Sequence, residues 1–142
     1  MTRSISKAKT SSVNRPVEPV AVSDVSPYCR DLHNWPRSWM GIDKDLLPGE
    51  QLLACFRPFI QHLASSGLSP KTIRTHVDNL WSLGGEIIRD LHYNPSLRKV
   101  AADRLLRDAV HEDGGPLIHN ASQDQQRSFD STCRKFHRFL SL

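Results

Sequence analysis

A chain of 142 residues, with 19 Lys and Arg against 15 Asp and Glu, suits one domain and leaves little room for a second. No apolar run approaches a membrane span and no apolar h-region follows the start, which argues against membrane and secretory classes and for a cytoplasmic protein. Cys29, Cys55 and Cys133 are odd in number and dispersed, so they argue against a disulfide framework and fit a reducing compartment.

The formal charge of +4 is unevenly placed. Arg3, Lys7, Lys9 and Arg15 against Glu18 give the first twenty residues +3, leaving +1 for the other 122. Residues 1–26 are rich in Ser, Thr, Val and Pro. Such a segment buries too little apolar surface to offset its ordering entropy, so it reads as a disordered basic tail. A basic tail adds salt-sensitive affinity for nucleic acid, yet tails of this kind also occur on proteins that bind none.

Residues 27–47 hold Trp35, Pro36, Trp39 and Met40, and the proline rules out a long helix. The two tryptophans suit a hydrophobic strap across a helical core; the alternative is a partner-binding or base-stacking anchor. The first long helix is expected from Pro48 or Gly49 to Gly67, with Leu52, Leu53, Phe56, Phe59, Ile60 and Leu63 as its apolar stripe. Pro58 in its interior predicts a kink, or two short helices meeting at Arg57-Pro58.

Gly67-Leu68-Ser69-Pro70 stops that helix and starts the next. Gly67 supplies a positive φ, Ser69 is an N-cap, and Pro70 occupies the first helical position, where its missing N–H costs nothing. Ile73, Val77, Leu80, Gly84, Ile87 and Leu91 then recur at steps of three and four. Gly84 on this apolar face invites close approach by another element, and Gly84-Gly85 together allow a bend or early break. Lys71, Thr72, Arg74 and Thr75 surround the positive end of the helix dipole, a plausible phosphate-binding surface. A third helix is expected from Asn94-Pro95 to Gly114-Gly115-Pro116, lined by Leu97, Val100, Ala101, Leu105 and Ala109. Ser122 with Gln125 is a capping box for the last helix, whose inner face carries Phe129, Cys133, Phe136 and Leu140. Arg127, Ser131, Arg134 and Arg138 share its opposite side, either as a solvated face balanced by Asp124 and Asp130 or as a nucleic-acid contact. Nothing alternates as a half-buried strand does, so the fold class is all-α.

Catalytic and metal chemistry find little purchase. Cys29 with His33 and Cys133 with His137 have helical zinc-ligand spacing, but no Cys-x-x-Cys knuckle accompanies them, and Cys133 belongs to an apolar stripe. The seven histidines lack a His-x-x-x-His pair, and there is no Gly-x-Ser-x-Gly elbow or phosphate-cradling glycine loop. Neither an enzyme nor a cofactor or metal is expected.

The string LSPKTIRTHVDNLWSLGGEI, following FRPFIQHLASSG, resembles the N-terminal core-binding (SAM-like) domain of phage integrases, the tyrosine recombinases. In that family a similar segment opens the second of four helices, and QRSFDSTCRKFHRFL resembles the fourth. The resemblance spans roughly residues 48–140 and weakens in its middle third. It implies a four-helix domain that lies on duplex DNA, with Lys71, Thr72, Arg74 and Thr75 meeting phosphates and Arg127, Arg134, Lys135 and Arg138 on the neighbouring helix. The family's catalysis resides in a further domain that would begin where this sequence stops, and neither Tyr28 nor Tyr93 sits in a nucleophile-like segment. His76 stands where the family usually has tyrosine, the third helix has a long acidic tip, and marked basicity is missing. Expectation therefore settles on a non-catalytic DNA-binding module, accessory to recombination or a remnant of an integrase, with duplex DNA, a full-length recombinase or a second copy as partner. The alternative is a helical protein–protein interaction or dimerisation module that does not bind DNA.

Overall fold

The computed structural model describes residues 25–29 and 31–142, so most of the expected tail lies outside the described residues. The chain is all-α: among the described residues there are five α-helices and no strand. They are α1 (Trp35–Trp39), α2 (Leu46–Ala64), α3 (Pro70–Tyr93), α4 (Ala102–Ala109) and α5 (Gln123–Leu140). No helix among the described residues is long and apolar enough to cross a membrane.

Local chemistry sets the ends of the long helices. Ser69 caps α3 by accepting a hydrogen bond from the Thr72 amide at 3.2 Å, with Pro70 at the first helical position and Gly67 at φ +84°. Ser122 and Gln125 form the reciprocal capping box of α5, at 3.1 and 2.9 Å. α2 starts earlier than its sequence suggests, at Leu46, and runs unbroken through Pro58. Pro58 is exposed, so its ring and its missing N–H face solvent rather than the packed side of the helix. α3 likewise continues through Gly84-Gly85.

The expected third helix is split. Pro95–Lys99 form a 3-10 turn, Val100 and Ala101 are extended, and only Ala102–Ala109 is α-helical. The break lets Arg98 reach back to Asp45 at the start of α2 before α4 crosses to pack on that helix. Beyond α4, His111 and Gly114 pair their backbones, and Gly114 has φ +143°.

One core joins these elements. Phe56, Phe59 and Ile60 of α2, Ile73, Leu80 and Leu83 of α3, and Phe129 and Phe136 of α5 are fully enclosed. Trp35 and Trp39 of α1 are buried with them. The Trp39 indole lies directly on Gly84, where a Cβ would fall 2.2 Å from the ring. Its Nε1 donates to the Trp81 carbonyl at 2.9 Å, while the Trp81 Nε1 donates to Ser38 at 2.8 Å, so α1 and α3 are hydrogen-bonded in both directions.

Asp45 ties the loop after α1 to the end of α3. Its carboxylate is fully buried and accepts from the Gly41 and Ile42 amides at 2.8 and 3.0 Å, from Arg98 at 2.8 Å, and pairs with His92 at 2.8 Å. Burial alone would raise its pKa, but the Arg98 pair and the other hydrogen bonds outweigh that and hold it well below the usual carboxylate range.

Candidate nucleic-acid interface

α3 and α5 pack antiparallel along a seam of polar side chains. Asn79 Nδ2 donates to the Ser128 carbonyl at 3.2 Å and to Thr132 Oγ1 at 2.9 Å. One turn nearer the start of α3, His76 Nδ1 meets the same Thr132 hydroxyl at 2.7 Å. His76 is buried, which lowers its pKa, and the positive charge of Lys135 lowers it further. A neutral imidazole therefore occupies the seam, and Lys135 stands beside it. Continuing the register by one more turn sets Thr72 and Thr75 opposite Lys135 and Phe139.

The eight candidate positions divide under this geometry. Lys71, Thr72 and Thr75 at the start of α3 and Lys135 near the end of α5 lie on the two sides of the seam, with exposed Arg138 one turn beyond Lys135. Arg74 turns to the other flank of α3, where its charge acts on Asp78. Arg127 is paired with Asp124, three residues before it. Arg134 points toward the loop after α4, its Nη1 lying 3.5 Å from the Asp113 carbonyl. The two threonines also differ. Thr75 spends its hydroxyl proton on the Lys71 carbonyl at 3.1 Å, whereas Thr72 accepts from Ser69 at 2.9 Å and keeps its own proton for an external acceptor.

Asp130, counted from the sequence as a balance for the arginines of α5, serves elsewhere. It accepts from the Gly115 amide at 3.2 Å and from Gln126 at 3.1 Å, and Gln126 in turn holds Pro116 and Ile118. The loop before α5 is thereby fastened to the side of the helix facing away from α3.

Phe139 packs on Phe59 and His62 at centroid distances of 5.2 and 5.1 Å, so the end of α5 meets the end of α2. The turn from α2 into α3 lies at the same end. Residues 59–77 and 131–142 meet here, and neither stretch contains an Asp or Glu. Together they supply Lys71, Arg74, Arg134, Lys135 and Arg138. The acids that reach these cations come from other segments: Asp78 lies beside Arg74, and Arg134 turns toward Asp113. The lack of acids within each stretch is countable in the sequence, but the convergence of the two stretches is not. The seam of His76, Asn79, Ser128 and Thr132 left no sequence signal at all, because its partners lie 49 to 56 residues apart.

Among the described residues, no three His, Cys, Asp or Glu side chains converge as metal ligands. Cys133 is buried, and burial followed by the nearby charge of Asp130 pushes its thiol up to about 12. Compared with family profiles, curated proteins and solved structures, the chain matches none of them.

Proposed function

We propose that this chain is a non-catalytic, cytoplasmic DNA-binding module, built as a four-helix integrase-type core-binding domain, that holds duplex phosphates at the start of α3 and the end of α5. The observation that carries this reading is the packing of two acid-free stretches: the start of α3, with Lys71, the Thr72 hydroxyl and the positive end of the helix dipole, and the end of α5, with Lys135 and Arg138. Arg127 and Arg134 contribute less, because one is neutralised by Asp124 and the other is turned toward Asp113. Phosphate contacts of this type position a protein on DNA without reading its sequence. Such a module covers a recombination site, accompanies a full-length recombinase, or survives as the remnant of one.

The test is a salt titration of binding to random duplex, with and without residues 1–26. Each phosphate neutralised contributes about −0.9 to the slope of log affinity against log salt. Removing Lys71, Lys135 and Arg138 together should therefore flatten the slope by about 2.7 units in the tail-less chain. Arg127→Ala should leave it within about half a unit. An unchanged slope in the triple variant sinks the surface assignment.

A second reading, a helical interaction or dimerisation module without DNA affinity, is favoured by one further feature. Met40, Ile42 and Tyr93 are exposed apolar side chains close to the Asp45 cluster. Tight homodimers with no mobility shift on duplex at low salt would select it.

A further inference from the structure

The chain carries a second charged recess, and the geometry points to a binding site there for a small organic anion with a phosphate or carboxylate head. α1 is pinned to α2 at Gly49, where a Cβ would come within 3.1 Å of Pro36. Beside that contact the two helices part and leave a cleft of about 480 Å³, in the range that holds compact ligands. Arg37 reaches into it from α1 and Arg57 from α2, with His33 at the rim and the buried side chains of Pro36 and Leu53 in its wall.

Charge balance selects the ligand. Neither the Arg37 nor the Arg57 guanidinium has a hydrogen-bonding or ionic partner among the described residues, and the same holds for the carboxylate of Glu50, the one acid lining the cleft. Two guanidinium groups against one carboxylate leave a net positive charge whichever arginine Glu50 approaches. A single additional anion completes the set, and the planar arginine fork suits a carboxylate or phosphate oxygen pair. The apolar wall gives the body of such a ligand a dry surface.

Phenyl phosphate, benzoate and neutral benzyl alcohol, each titrated into the full chain and followed by amide chemical shifts, provide the test. Saturable binding of phenyl phosphate or benzoate, centred on residues 33–37 and 50–57 and missing with benzyl alcohol, is expected; which acid binds identifies the head group. Arg37→Gln and Arg57→Gln should each weaken binding about tenfold. Glu50→Gln should tighten it severalfold, which a merely structural role would not produce. Should a glutamine variant fail to fold, Arg37→Lys and Arg57→Lys keep the charge, lose the fork and should still weaken binding. Lys71→Ala with Lys135→Ala should leave the affinity unchanged. Equal binding of benzyl alcohol, full affinity in the arginine variants, weaker binding in Glu50→Gln, or loss of binding on changing Lys71 and Lys135 each overturns the assignment.

Discussion

Replacing Gly84 by alanine tests whether α1 is a fixed part of the core. On an open helix surface the change would stabilise the protein by about 1 kcal/mol, since alanine is the better helix former. Here the new Cβ would lie 2.2, 2.5 and 2.7 Å from three atoms of the Trp39 ring. The ring has no easy retreat. Its Nε1 is bonded to the Trp81 carbonyl, and Trp35 and Phe56 stand behind it at centroid distances of 5.7 and 6.3 Å. Overpacking of a close-packed site costs about 1–3 kcal/mol, and contacts this short put the cost at the top of that range or above it. After the helix-propensity gain, the net loss should be about 1–3 kcal/mol. Gly85→Ala is the internal control. Its Cβ would meet Trp39 at 3.5 and 3.8 Å, ordinary contact distances, so stability should rise by up to about 1 kcal/mol. Urea denaturation followed by circular dichroism measures both, and combining Gly84→Ala with Trp39→Ala should remove the penalty. A Gly84→Ala protein as stable as its parent would show that Trp39 moves freely and that α1 is only loosely docked.

Asp45→Asn should cost about 2–4 kcal/mol in the same assay, because it removes the buried charge to which Arg98 and His92 are directed. The folded-state pKa of Asp45 is depressed, so its contribution is whole above the ordinary carboxylate range and is lost as pH falls below about 4. Acid titration of stability should therefore be shallower in Asp45→Asn than in the parent. His76 is also depressed, by burial first and then by Lys135. The unfolded chain thus takes up a proton that the folded one refuses, and stability should decline as pH falls below about 6.5. His76→Gln should flatten that limb, and an unaltered profile would contradict a buried neutral imidazole. Cys133, enclosed and with its thiol at about 12, should react with thiol reagents only at the rate of global unfolding, while half-buried Cys29 and Cys55 react sooner.

Caps were legible in the sequence because they are local. Ser69-Pro70 and Ser122-x-x-Gln125 each spend their hydrogen bonds within three residues, so spacing alone specifies them. Gly84 was legible as a place of close approach, since its apolar-face position demanded a reason for the missing side chain. The identity of the occupant, a tryptophan 45 residues earlier, was not. Asp45 was invisible for the same reason: in Asp43-Lys44-Asp45 either acid could face solvent, and the choice depends on His92 and Arg98, which arrive only after α3 has folded back. The break at Val100-Ala101 also follows from tertiary demand, because a continuous helix would carry Arg98 away from that carboxylate. Among the cations, helical angle grouped Arg127, Arg134 and Arg138, but separate neighbours of α5 divide them.

The stabilising contacts and the exposed cations occupy different parts of the fold. The interactions whose loss should cost most, the Asp45 cluster and the Trp39–Gly84 contact, involve the first turns of α2, the second half of α3 and α1. The cations proposed to meet phosphate are at the start of α3 and the end of α5. Lys71 and Arg138 are exposed and make no ion pair among the described residues, so truncating them removes charge without stranding a buried partner. Their substitution should leave the unfolding free energy within about 0.5 kcal/mol of the parent, and any change in DNA affinity can then be assigned to the surface itself. Lys135 differs, since its charge acts on His76. Replacing it should let the His76 pKa rise toward its ordinary value, which a titration of the imidazole resonances would detect. A His76 titration indifferent to Lys135→Ala would place that lysine away from the seam and remove the link between α5 and the turn of α3 proposed to meet phosphate.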